Sequence, residues 1–104
     1  MLRSVEQRRA AEGGGEDPRV AELRAAVARL RRELAIHPVD FADRGIAEDE
    51  LAALAAMILA GPPEVRRLRR SLLLIAGAVG SVSALAPALT DVRHAVEGFG
   101  DRPR

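Results

Sequence analysis

The 104-residue sequence contains no cysteine, tryptophan or tyrosine. The absence of cysteine excludes a disulfide scaffold, a thiolate metal site and a thiol nucleophile. Lysine and asparagine are missing too, so all sixteen basic residues are arginine. The aromatic residues are Phe41 and Phe99. A core must therefore be built from Leu, Val, Ile and Ala, which suits helices better than sheets. Excess charge of either sign is lacking as well: sixteen arginines against fifteen acids leave +1, which gives no overall field to draw in nucleic acid or an acidic lipid surface. There is no GxGxxG, P-loop, HExxH or GxSxG pattern and no internal repeat. His37 and His94, with Asp40 and Asp43, read as a helix-stop histidine, a solvated one, and solvated or capping acids. No catalytic residue, cofactor or metal site is expected.

What is abundant is alanine, at twenty positions, beside sixteen Arg, nine Gly and six Pro. All four have GC-rich codons, which points to a bacterial genome of high GC content and lowers the weight of the arginine count. With 48% hydrophobic residues in 104, one domain fits and a second core does not. The first seventeen residues are polar, include Gly13-Gly14-Gly15 and lack the apolar stretch of a secretory signal, so a flexible tail and a cytoplasmic protein are expected.

Asp17 and Pro18 then form a helix start, an N-cap followed by proline at the first helical position. Val20, Leu23, Val27, Leu30 and Leu34 recur at spacings of 3 and 4, predicting a first helix over 18–36 that His37-Pro38 stops. A second helix is predicted over 46–60, with Leu51, Leu54 and Ile58 inward and Glu48, Asp49 and Glu50 in its first turn. Gly61-Pro62-Pro63 ends it. From Glu64 a third apolar series follows: Val65, Leu68, Leu72, Ile75, Val79 and Val82, then in a new phase Leu85, Leu89, Val92, Val96 and Phe99. The phase change and Pro87 predict a kink or break nearby, and a long kinked helix to about Gly98 is the expected form. The fold class is all-α, an antiparallel coiled-coil-like bundle of two shorter helices and one long kinked one over 18–100, with tails at 1–17 and 101–104.

Charge alternates by segment: +3 in the first helix, −4 over 37–61, +3 over 62–70 and none over 71–90. An antiparallel hairpin would set Arg29, Arg31 and Arg32 beside Glu48, Asp49 and Glu50, and Arg66 to Arg70 near Asp17 and Glu22. Arg66, Arg67, Arg69 and Arg70 crowd a helix N-terminus, where cations are mildly unfavourable, so an acidic partner is expected; a partner or phosphate contact is the functional reading of the same four. The twenty uncharged residues from Ser71 to Thr90 are apolar on nearly every face, which implies burial in a bundle, an oligomer or a bilayer. Ala76, Gly80, Ala84 and Ala88 make a small-residue stripe there.

The block HPVDFADRGIAEDELAALAAM, at 37–57, and the block RRLRRSLLLIAGAVGSVSALAPALTDVRHAVEGFG, at 66–100, resemble a small actinobacterial, Streptomyces-type family of uncharacterised helical proteins. The resemblance spans about residues 17–100 and implies a bacterial helical protein with no assigned activity. The functional expectation is a non-enzymatic assembly module, a homodimer or higher homo-oligomer, that associates through Leu73, Ala76, Gly77, Gly80, Ser81 and Ala84 near the middle of the long helix. A single-pass membrane protein spanning 71–90 is the second reading, and nucleic-acid binding through the arginine run is the third.

Overall fold

A computed structural model describes residues 17–100; the tails expected at 1–17 and 101–104 lie outside the described residues except for Asp17. The described residues hold four α-helices and no strand: α1 Pro18–Ile36, α2 Arg44–Ala60, α3 Val65–Val79 and α4 Ala86–Gly100, the last preceded by a 3-10 turn at Ser83–Leu85. Each helix packs on its sequence neighbour, and α4 closes the ring against α1. Side-chain contacts fix the directions. Arg19 lies over the Phe99 ring at 4.9 Å, and Arg29, later in α1, bonds Asp91, earlier in α4, so α1 and α4 are antiparallel. The Ser71 hydroxyl bonds Glu50 at 2.7 Å, and the four-residue connection Gly61 to Glu64 lets α2 and α3 run antiparallel as well.

The expected apolar seams form the core. Leu23, Val27, Leu30 and Leu34 of α1 meet Leu51, Leu54 and Ile58 of α2, Leu68, Ile75 and Val79 of α3, and Leu85, Val92, Val96 and Phe99 from the C-terminal part. Asp17 caps α1 as its sequence position implies, accepting from the Arg19 backbone N–H at 2.9 Å, with Pro18 in the first turn. Proline there removes a donor that the helix leaves unused.

Two features differ from the sequence reading. The long helix is two helices. Pro87 lacks an N–H, and its ring would collide with the carbonyl four residues back in a helix interior; it sits instead in the first turn of α4, where neither matters. The chain reverses ahead of it through Gly80, Ser81 and Val82, where Gly80 N–H donates to Ala76 O at 2.8 Å and Val82 N–H to Val79 O at 2.9 Å. A Cβ at Gly80 would collide with the Ala76 carbonyl oxygen, whereas one at Gly77 would meet open space. Gly80 is thus required by its own backbone.

The second difference is an earlier start for α2, at Arg44 rather than Ile46. The Arg44 guanidinium explains it by reaching back to main-chain carbonyls at the end of α1 and in the connection that follows. It donates to Leu34 O at 2.6 Å, His37 O at 2.9 Å and Val39 O at 3.3 Å, and pairs with Glu48 at 3.3 Å. One cation thereby gives Leu34 O a second donor beside the His37 N–H and engages the His37 and Val39 carbonyls beyond the helix end.

Replacing Arg44 by Met should therefore destabilise the protein by roughly 2 kcal/mol, since hydrogen bonds from a charged donor are lost together; an unchanged urea midpoint would contradict the clasp. The two glycines should respond with opposite signs. Gly77→Ala, in an open helical position, should stabilise by up to about 1 kcal/mol, and Gly80→Ala should destabilise, both read from denaturant titrations.

Candidate functional site

The residues expected to form a contact surface do not share one helix face. Leu73 and Gly77 lie exposed on α3, Ala76 is half-buried against the core, Gly80 and Ser81 belong to the chain reversal, and Ala84 is exposed in the 3-10 turn. A helix crossing centred on Ser81 has no helix to use, because α3 has ended at Val79. The apolar stretch is also better covered than a long helix would be. Folding back places α4 beside α3, and α1 packs on both α4 and the 3-10 turn, so Leu85 and Ala88 are buried within the chain.

What stays uncovered lies at the end of α1, at Ile36 and Val39, and on the α2–α3 hairpin. Leu59 is 77% exposed, Leu73 72%, Ile46 55% and Leu74 47%. The outward positions of α2 between them are Ala52, Ala53 and Ala56. At a helical spacing of 3 and 4, Arg66, Arg70, Leu73 and Gly77 share the outer face of α3, opposite the inward Leu68 and Ile75. The inward face of α3 includes one polar residue, Ser71, 4% exposed. Its hydroxyl donates to the half-buried Glu50 carboxylate, which satisfies both groups.

Charge placement follows the expected scheme in part: Arg31 lies beside Glu48 in one groove between α1 and α2, whereas Arg29 and Asp17 find other partners. Arg29 bonds Glu33 at 2.9 Å and Asp91 on α4, not the α2 acids. The register explains this: α1 and α4 run side by side, and Glu48 and Glu50 are engaged by Arg44 and Ser71. The two carboxylates hold the Arg29 guanidinium above its ordinary pKa, Glu33 contributing first. Asp17 is likewise engaged by its neighbour Arg19 at 2.7 Å and is not available to α3. Arg66, Arg67, Arg69 and Arg70 are all exposed and make no ion pair among the described residues. The Arg69 guanidinium lies where a Cβ at Gly100 would sit, beside the C-terminus of α4, a favourable place for a cation.

Residues 12–100 match a family of unknown function, DUF5955. The chain belongs to the DUF5955 family. No curated protein and no solved structure matches it detectably. The family description carries no activity, so the chemistry of this DUF5955 chain rests on its own geometry. At one end of the bundle a cleft of about 560 Å³ is lined by Asp17, Arg19, Ile58, Pro62, Val65 and Phe99. Its charged groups are already committed, Arg19 to Asp17 and to the Phe99 ring. His37 packs edge-on against Phe41 with centroids 6.0 Å apart. His94 lines a shallow groove with Arg29, Arg32, Glu22 and Asp91. Among the described residues no three His, Asp or Glu side chains converge as a metal would need. No helix among them is long and apolar enough to cross a membrane.

Sequence reasoning placed the arginine run and Leu73 correctly on the surface but missed Ile46, Leu59 and Arg44. The signal for Leu59 was its position outside the Leu51, Leu54 and Ile58 series. Arg44 carries no signal of its own until the end of α1 is known in space.

The Arg19 hydrogen bonds hold the Asp17 carboxyl below the usual carboxylate pKa of 3.8. A depressed folded-state pKa contributes stability that is complete above the unfolded value and lost as pH falls through the folded one. Acid titration should therefore show a stability loss below about pH 4 that is smaller in Asp17→Asn, which keeps the cap without the charge. An identical acid profile in both proteins would contradict the assignment.

Proposed function

We propose that this protein is a non-enzymatic helical assembly module that self-associates through the outer face of α3. The observation that carries the reading is the pair of exposed leucines, Leu73 and Leu74, on a helix whose other face is already in the core. Apolar surface left in water favours association by about 25 cal/mol per Å² covered. Leu73 and Gly77 form the centre of the contact; Ser81 and Ala84 extend its edge, and Gly80 acts only through the turn it permits. The arrangement of the core as a coiled-coil-like bundle, a cytoplasmic location and an actinobacterial source belong to the same proposal, the last supported by the GC-rich codon usage.

Nucleic-acid binding is a second reading, favoured by the four arginines of α3 that lack partners among the described residues. A single-pass membrane role has less support, since residues 71–90 are divided between two helices.

Light scattering at high micromolar concentration, in buffer without detergent, should give twice the 11.1 kDa chain mass. A monomer mass would overturn the assembly reading. Binding to random duplex DNA that weakens steeply with salt would move support to the arginine reading.

A further inference from the structure

The α2–α3 hairpin is charged unevenly along its length. Asp43, Glu48 and Asp49 lie on or just before the first half of α2, and Arg66, Arg67 and Arg70 on the first half of α3. Because the two helices are antiparallel, with register set by the Glu50–Ser71 hydrogen bond, Asp49 and the arginines fall on opposite sides of that level, while Glu48 turns toward α1 in a groove with Arg31 and Leu34. Asp49 and the three arginines make no hydrogen bond or ion pair among the described residues. Ile46, Leu73, Leu74 and Leu59 are the exposed large apolar side chains of the same hairpin.

We propose that a second copy of this chain covers this hairpin by two-fold, antiparallel pairing, with Arg70 of each copy meeting Asp49 of the other. The idea rests on the self-association argued above and specifies its surface. A two-fold axis perpendicular to the helices reverses the hairpin end for end, which brings acidic end to basic end twice over. Set at the level of Glu50 and Ser71, the axis lies one residue from Asp49 and one from Arg70, so Asp49 of one copy and Arg70 of the other come to the same level, diagonally across the paired hairpins. Leu73 lies two residues beyond Ser71, roughly 3 Å along the helix from the axis at 1.5 Å per residue, and so packs against its own mate. Ala52, equally far from the axis on α2, lets the two α2 helices approach. The layout is self-complementary. An anionic surface would attract the arginines and repel Asp49 on the same face, and so suits this hairpin less well.

Charge reversal tests the geometry on the full-length chain. Sedimentation equilibrium at about 150 mM salt, where surface charges are screened beyond about 8 Å, is run on the wild type, Arg70→Glu and Asp49→Arg. The wild type should be a dimer. Each variant alone should lose at least about tenfold in dimer affinity, because like charges then meet twice. The equimolar mixture should recover the dimer mass, since the mixed dimer holds one charge-swapped pair and one native Arg70–Asp49 pair, both attractive. Arg70→Gln replaces Arg70→Glu if circular dichroism shows loss of helix, with a smaller loss of dimer affinity expected. A dimeric wild type whose variants also dimerise, or whose mixture stays monomeric, overturns this pairing and leaves self-association standing. A wild type that is monomeric at high concentration, or that binds anionic vesicles or random DNA as a monomer, overturns both.

Discussion

An uncharged run of twenty residues needs cover along its inward face from end to end, and in this chain that cover depends on a reversal at Gly80, Ser81 and Val82. A continuous helix over this stretch would leave its second half beyond the end of α2, with α1 as the only cover. Ending α3 at Val79 and restarting at Ala86 places α4 against both α3 and α1. Leu85, Val92 and Val96 then share one core with Leu23 and Leu30. The two residues that make the reversal workable act differently. Gly80 tolerates its proximity to the Ala76 carbonyl because it has no Cβ, and Pro87 excludes a helix interior but suits a helix start.

Polar interactions secure the ends and seams of the ring instead of its centre. Arg44 ties the start of α2 to the end of α1, Asp17 caps α1, and Arg29 bridges α1 to α4. Exposed ion pairs contribute little each, about 0–1 kcal/mol, so their main effect is on register. Arg44 is the exception, since its side chain is largely enclosed and its partners are main-chain carbonyls. Apart from Ile36 and Val39 beside the end of α1, the large apolar side chains left exposed lie on the α2–α3 hairpin, which also carries arginines that have no ion pair among the described residues. That coincidence links the packing of the bundle to its proposed role in assembly.

The all-helical class and the first helix were legible because periodicity and stop signals agreed: Asp17-Pro18 at one end, His37-Pro38 at the other, and a 3/4 seam between. The third helix was legible in its contacts but not in its continuity. A seam of the form Val79, Val82, Leu85 looks the same whether the chain runs on or turns back, because a short turn preserves spacing in sequence while reversing direction in space. Charge pairs were the least legible. They depend on which helices are neighbours, and once α4 takes the place beside α1, Arg29 finds Asp91 in preference to the acids of α2. The surface at Leu73 was visible from its place outside the seam. Its extension to Ile46 and Leu59 required the relative placement of two helices.

The reversal between α3 and α4 is the central claim, and the absence of native cysteine makes it directly measurable. Cysteines introduced at Arg66 and Glu97, both exposed, can be spin-labelled and their separation read by double electron–electron resonance, with the labelled chain diluted into unlabelled protein to isolate the intramolecular distance. Helices packed about 10 Å apart and running in opposite directions predict a distance of roughly 20 Å once label linkers are included. A single unbroken helix would hold the same two positions about 46 Å apart at 1.5 Å per residue, and a distribution centred there would contradict the account.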